Sequence, residues 1–120
     1  MNLGETGKQG EDLVARYLRE KGCRVIKRNY CSRFGEIDII AETDEYILFV
    51  EVKTRKEGAM VSPAEAVTAA KRRRITAAAN MFLALYQTDL QPRFDVAQVV
   101  YHFDENGKCR VRLRYLKNAF

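Results

Sequence analysis

The 120-residue chain has no tryptophan, one histidine, two prolines and three cysteines, and these shortages exclude several classes of protein. Cys23, Cys31 and Cys109 are an odd number without a CxxC pair, and together with His102 they do not make a plausible zinc site. We therefore expect reduced, mostly packed thiols, as in a cytoplasmic protein, rather than a disulfide framework.

Long apolar runs and targeting signals are also missing. The apolar run of residues 46–50 suits a buried strand, and no apolar run approaches the roughly 18 residues that a membrane-spanning helix needs. Residues 1–10 are polar and contain glycine, a pattern that is not typical of a signal or transit peptide. The sequence thus predicts a cytoplasmic protein with no membrane partner.

Positive charge, in contrast, is present in excess and is unevenly distributed. The net charge is +5, and all of the excess lies in residues 61–120. Two clusters produce it: residues 71–74, which read Lys-Arg-Arg-Arg, and an alternating series in residues 108–114. Such clusters can attract a polyanion such as nucleic acid. They can equally be a solvated helix face and a charged edge strand that resists aggregation, and composition leaves both interpretations open.

The patterns of apolar and turn-forming residues predict one α/β domain over residues 1–120, with the element order α-β-β-β-α-β-β and a mixed sheet covered by helices. We expect residues 1–9 to be frayed and a first helix to run to about Lys21, ending at Gly22. Ser62, Pro63 and Glu65 predict the start of a second helix that ends near Tyr86. The predicted strands are residues 23–28, 36–42, 46–53, 94–103 and 108–116, with a polar turn over residues 29–34.

The second and third predicted strands carry charges where a covered sheet face should be apolar. If Thr43 pairs with Tyr46 across a two-residue turn, the numbers of paired residues sum to 89, and one face of the hairpin becomes wholly apolar. On the other face Asp38 then opposes Glu51, so that two carboxylates lie side by side.

Adjacent, partly buried carboxylates repel each other unless a proton, a cation or a divalent metal compensates them. Oxygen ligands suit Mg²⁺ or Mn²⁺, and Lys53, two residues beyond Glu51, could hold a water or a phosphate oxygen beside such an ion. Glu11, on the apolar stripe of the first helix, could complete the acidic cluster if that helix packs over the same face. The alternative interpretation is an ion-pair network of Asp38, Glu51, Lys53 and Glu36.

The motifs Gly35-Glu36-Ile37-Asp38 and residues 49–55, FVEVKTR, resemble the PD-(D/E)xK nuclease signature, although the proline of a literal PD is absent. More narrowly, the chain is similar to the YraN-like family of small bacterial proteins, related to archaeal Holliday-junction resolvases. The similarity extends from about residue 8 to about residue 100. It includes Gly10-Glu11 and residues 28–30, and further along Pro63, residues 71–72 and residues 93–96.

This resemblance implies a restriction-endonuclease-like fold and a metal-dependent endonuclease that hydrolyses DNA phosphodiesters, with structured or branched DNA as one option. It assigns metal binding to Asp38, Glu51, Glu11 and the Val52 carbonyl, and it makes Lys53 the catalytic lysine. Contacts to DNA phosphates are expected from Arg55, Lys71, Arg72, Arg73 and Arg74. A homodimer is compatible with the resemblance, although no sequence feature marks a dimer surface. Two alternatives stay open: a nucleic-acid-binding module without efficient cleavage, and a non-enzymatic interaction protein.

Overall fold

The computed structural model describes residues 3–58 and 67–120 and forms one mixed five-stranded sheet with a helix on each face. The helices are α1 (Leu3–Glu20) and α2 (Ala69–Leu85). The strands are β1 (Arg24–Ser32), β2 (Gly35–Glu42), β3 (Tyr46–Lys56), β4 (Gln91–Phe103) and β5 (Cys109–Leu116). The element order and the fold class are therefore as predicted.

The strands lie in the sheet in their chain order, β1-β2-β3-β4-β5. All neighbours are antiparallel except β3 and β4, which are parallel because α2 connects them across one face. The segment of residues 29–34 was predicted as a turn, but β1 continues through it to Ser32 and only Arg33 and Phe34 form the turn. Backbone pairing with β2 thus outweighs the local turn preference of this polar segment.

Helix α1 ends as its sequence predicts, because Gly22 adopts a left-handed φ of 87° just after the last turn. The N–H of Cys23 donates to the Leu18 carbonyl at 2.9 Å and that of Gly22 to the Arg19 carbonyl at 3.0 Å, which together form a Schellman cap. The structure places residues 3–9 in α1, while residues 1–2 lie outside the described part of the chain, and the fraying expected for residues 1–9 stays a prediction. Packing of the helix onto the sheet through the buried Gly10 provides stabilisation that composition does not show.

The predicted start of the second helix falls in a segment outside the described part of the chain. Ser62, Pro63 and Glu65 lie outside the described residues, and α2 begins at Ala69 with Thr68 as its N-cap. The Thr68 hydroxyl accepts the backbone N–H of Lys71 at 3.2 Å, which satisfies one of the free donors of the first turn. The predicted end of the helix is confirmed, since α2 stops at Leu85.

Two apolar layers hold the helices to the sheet. One, between α1 and the sheet, includes Val14, Leu18, Ile39 and Val50. The other lies between α2 and the opposite face and includes Ile37, Ile40, Phe49, Ile75 and Val96. In the part of the chain that the structure describes, no helix is long and apolar enough to cross a membrane.

Candidate active site

The predicted hairpin register is correct for the half of β2 and β3 nearest the turn. Ile39 pairs with Val50 and Ala41 with Leu48, and the Thr43 N–H donates to the Tyr46 carbonyl at 2.8 Å. Beyond Ile39 the backbone ladder stops, so the predicted pairs Ile37–Val52, Asp38–Glu51 and Glu36–Lys53 do not form. Ile37 accordingly packs in the α2 layer, not with Ile39 as predicted. The two strands separate where the candidate site begins.

Asp38 fills the gap that this separation opens. Its Oδ2 accepts the backbone N–H of Val52 at 2.7 Å, in place of a carbonyl from the neighbouring strand. The N–H and C=O of one strand residue point to the same side, so the Val52 carbonyl also faces the gap. The Val52 carbonyl and the Asp38 carboxylate thus face the same gap, and the role of Val52 as a metal ligand stays a prediction.

Glu51 lies beside Asp38 although their backbones are not paired. Its side chain is only 5% exposed. Burial of Asp38 and its closeness to the Glu51 carboxylate raise the pKa of Asp38 to about 7, in spite of the hydrogen bond from Val52. The juxtaposition of two carboxyl groups, predicted from the register, is therefore present in the structure by a different backbone route.

Two lysines approach the same oxygen of Glu51. Lys71 Nζ, from the first turns of α2, lies 2.5 Å from Glu51 Oε1, and Lys53 Nζ lies 3.9 Å from it. Burial, followed by the neighbouring Lys71 ammonium, lowers the pKa of Lys53. Burial opposes the charged form of Lys71, but its hydrogen bonds with Glu51 and Lys53 raise its pKa. Of the two lysines, Lys53 is therefore the one that loses its proton more readily.

The position of Lys71 inside the acidic site is a feature that sequence reasoning missed. The run of four basic residues predicted a uniform phosphate-binding face on α2. The helix instead turns Lys71 towards Glu51, and it leaves Arg73 and Arg74 exposed. Arg72 donates from Nε to the Val67 carbonyl at 3.1 Å and lies over the Phe120 ring, so it has a local structural role. Helical periodicity shows which residues of α2 share a side of the helix. It does not show which side of α2 packs on the sheet, so the sequence could not distinguish Lys71 from Arg73 and Arg74.

Glu11 lies on the other side of Asp38, near the middle of α1. It shares with Asp38, Lys53 and Arg55 a cleft of about 440 Å³. Its Oε1 accepts from Arg28 Nε at 2.9 Å and from Asn29 Nδ2 at 3.1 Å, and Arg28 Nη2 lies 2.8 Å from the same atom. All of these contacts use one carboxylate oxygen, so the side chain is anchored through Oε1 while Oε2 is not engaged by them.

The helix that carries Glu11 covers the face opposite Glu51, so the predicted three-carboxylate cluster is only partly assembled. Across residues 3–58 and 67–120, no three Asp, Glu, His or Cys side chains converge closely enough to hold a metal by themselves. Two carboxylates, those of Asp38 and Glu51, do come together. The backbone of Val52 lies next to Asp38, and Val52 lines the cleft. The site thus offers two carboxylates and a carbonyl, with Glu11 at its margin.

Arg55 adds a cationic donor to the cleft. Its Nε is buried, and no hydrogen-bond acceptor lies within reach of that atom in the described part of the chain. A buried donor without a partner is costly, and an anion entering the cleft would satisfy it. This arrangement is consistent with the phosphate-binding role predicted for Arg55.

A mixed sheet between two helices, with an acidic pair at the point where two antiparallel strands separate, defines an α/β protein of restriction-endonuclease-like architecture. Comparison with known proteins gives the family. The profile of the uncharacterised protein family UPF0102 matches residues 10–99. The chain belongs to this family, and the YraN-like resemblance predicted from its motifs is confirmed.

Individual relatives match over nearly the whole chain. The UPF0102 protein of Porphyromonas gingivalis is 41% identical over 116 residues, which are 97% of this chain and 84% of the relative. A UPF0102 protein of Symbiobacterium thermophilum is 43% identical over 115 residues, which are 95% of this chain and 94% of the relative. The names of these relatives state no activity, so their similarity to this chain assigns no reaction to it.

Proposed function

We propose that this protein is a metal-dependent endonuclease that hydrolyses DNA phosphodiesters in the cytoplasm, including those of structured or branched DNA. The observation that carries the proposal is the contact between Asp38 and Glu51 at the separated ends of β2 and β3, beside Lys53. The similarity of GEID and FVEVKTR to the PD-(D/E)xK signature adds support, since it assigns roles to the same residues.

The residues at the site fit a divalent metal ion. The Glu51 carboxylate helps to raise the pKa of Asp38, so this pair gains most from a doubly charged cation, and an all-oxygen donor set selects Mg²⁺ or Mn²⁺. Asp38, Glu51 and the Val52 carbonyl would hold the ion, and Glu11, which lines the same cleft as Asp38, would be a further ligand. When bound, such an ion supplies an activated water and offsets the charge that develops on the phosphate.

The remaining side chains of the site act on the substrate. Lys53, held partly buried and next to a second ammonium, is suited to orient the attacking water and to donate to a phosphate oxygen. Lys71 balances Glu51 before metal binding, and once released from Glu51 it is within reach of the same phosphate. The unpartnered Arg55 Nε supplies a further donor for the DNA backbone. Arg73 and Arg74, exposed on α2, can position the DNA without reading its bases.

A second candidate function is a nucleic-acid-binding module that retains this fold but does not cleave. One observation favours it: both carboxylates that flank Asp38 already have cations, Arg28 on Glu11 and Lys71 on Glu51. On this alternative the ion pairs replace the metal, and the basic residues carry the function. The two candidates differ in their response to divalent metals.

The direct test is incubation of the purified protein with duplex, single-stranded and four-way-junction DNA in Mg²⁺ or Mn²⁺. The proposal requires products that disappear in the Asp38→Asn, Glu51→Gln double variant. Products that persist in this variant would identify a contaminating nuclease, and no cleavage of any substrate would favour the binding module. The mass of the protein in solution, measured alone and with a junction, tests the homodimer.

A metal titration separates the candidates without any substrate. With Mn²⁺, the nuclease proposal predicts a rise in the melting temperature of the wild type, because an ion that binds only the folded state stabilises that state. The double variant should show no such rise. Asp89→Asn, at an exposed position outside the site, is the matched control and should keep the full rise. A rise of equal size in all three proteins would show non-specific metal binding and would count against the proposal.

A further inference from the structure

The basic C-terminal hairpin, which the proposed function does not use, lies in a defined position relative to the site. Arg110, Arg112 and Arg114 alternate along β5 with residues of the opposite face. Of the residues on that opposite face, Leu113 and Tyr115 pack in the layer beneath α1. The three arginines therefore project from the other face of the sheet, the one that carries Glu51 and Lys53.

The strand register aligns two of these arginines with cations of the candidate site. Arg114 pairs with Gln98 on β4, which pairs with Lys53 on β3. In the same way, Arg112 pairs with Val100, which pairs with Arg55. Paired residues of neighbouring strands lie about 4.8 Å apart, so each row spans about 10 Å from β3 to β5. We call Arg110, Arg112 and Arg114 the arginine stripe, which begins two strands away from Lys53.

The stripe is accessible, and local acids neutralise it only in part. Arg112 lies 3.6 Å from Glu57 and Arg110 lies 3.1 Å from Asp104, but more than half of each arginine side chain is exposed. Arg114 is also exposed. Charges that only protect a sheet edge from aggregation need no particular alignment. Three arginines on one face, with Arg114 aligned to Lys53 and Arg112 aligned to Arg55, are what a continuous binding track for an anionic polymer requires.

We propose that the arginine stripe binds the sugar-phosphate backbone of duplex DNA on the side of the cleavage site away from α2. This inference rests on the proposed function, because that function identifies the anionic polymer as DNA. From Arg110 to Arg114 the strand rises about 14 Å, which corresponds to about four base-pair steps of a duplex. The stripe would thus follow neighbouring phosphates along one strand and contribute affinity without sequence preference.

The test is the salt dependence of DNA binding, measured by fluorescence anisotropy with a duplex of about 30 base pairs in EDTA, so that no cleavage occurs. The triple variant Arg110→Gln, Arg112→Gln, Arg114→Gln should lose three phosphate contacts. Each contact contributes about 0.9 to the slope of log K against log salt, so between about 50 and 200 mM salt the wild type should lose about 40-fold more affinity than the variant. Circular dichroism melting establishes that the variant is folded.

The matched control removes three exposed cations elsewhere, with the changes Arg16→Gln, Arg19→Gln and Lys27→Gln. It has the same net charge as the triple variant and should keep the wild-type slope. A triple Arg→Lys variant of the stripe should also keep it, because the charges remain. Glu57→Gln, which frees Arg112 from its acidic neighbour, should tighten binding.

Equal slopes for the stripe variant and the control would overturn the inference, since attraction would then depend only on net charge. An unchanged slope in the stripe variant would overturn it as well. These outcomes are independent of the nuclease proposal, which fails separately if metal-dependent cleavage by the intact protein is absent. Binding through the stripe with no cleavage would support the inference and reject the nuclease.

Discussion

The Asp38 carboxylate accepts the backbone N–H of Val52 at 2.7 Å, at the position where the β2–β3 ladder would otherwise continue through Ile37. This hydrogen bond holds the side chain in the gap between the strands, next to Glu51. It also occupies only one oxygen of Asp38. The Asp38 side chain is therefore positioned beside Glu51 because the two strands separate at this point.

Metal-free protein should become less stable as pH rises from about 4 towards 8. The folded-state pKa of Asp38 is raised to about 7, above its ordinary value of 3.8, so the folded state binds the proton more tightly than the unfolded state. The stabilisation is complete below the lower value and is lost as pH passes the higher one, with a change of about 2–4 kcal/mol in the free energy of unfolding. Urea unfolding in EDTA at several pH values measures it.

Asp38→Asn keeps an acceptor for the Val52 N–H and removes the titrating group, so its pH profile should be flatter than that of the wild type. It should also be more stable than the wild type at pH 8 in EDTA. The exposed Asp89→Asn variant should follow the wild-type profile. A profile of unchanged slope in Asp38→Asn would assign the effect to other groups.

Replacing Lys71 with methionine should weaken the metal-free protein and tighten Mn²⁺ binding. The change leaves the buried Glu51 without its 2.5 Å partner, a loss of about 1–3 kcal/mol after allowance for the partial exposure of Lys71. It also removes a cation that competes with the metal for the same oxygen. Urea unfolding and calorimetric titration measure the two effects.

Arg73→Gln is the control for Lys71, because it removes a positive charge from an exposed position of the same helix. It should leave both stability and metal affinity close to wild type. If Lys71→Met and Arg73→Gln behaved alike, Lys71 would not occupy the metal position.

Gly10→Ala should destabilise the protein by about 1–3 kcal/mol through overpacking. A Cβ on this residue would lie 2.5 Å from Thr54 Oγ1, far inside contact distance, so the Thr54 side chain or α1 would have to shift. Because α1 carries Glu11, DNA cleavage should fall as well. In the double variant Gly10→Ala, Thr54→Ala the clash is removed, and part of the lost stability should return. Strictly additive losses in a double-mutant cycle would contradict this explanation.

Asn29→Ala should cost more stability than Asn29→Gly, by about 1 kcal/mol, because Asn29 has a φ of 51° that glycine adopts freely and alanine does not. Both variants lose the hydrogen bond to Glu11 Oε1, so their difference isolates the backbone contribution. Chemical denaturation of the two variants side by side measures it. Equal stability would show that the left-handed conformation is not retained.

Much of the site could be predicted from the sequence. Alternation in β2 and β3 gave the correct pairing of Ile39 with Val50, and from it followed the closeness of Asp38 and Glu51. Residues beyond that point were placed wrongly, because the register arithmetic assumes that a ladder continues as far as both strands do. A side chain that replaces a backbone partner, as Asp38 does, breaks this assumption.

The sequence by itself determined the order of the elements, the end of α1 at Gly22 and the acidic pair, because local backbone preference and hydrophobic periodicity act over a few residues. Only the tertiary structure decided that Lys71 enters the site, that Arg28 and Asn29 anchor Glu11, and that the arginine stripe shares a face with Lys53. These contacts join residues far apart in the chain. They depend on which face each helix covers and on where two strands separate, and no local pattern encodes either.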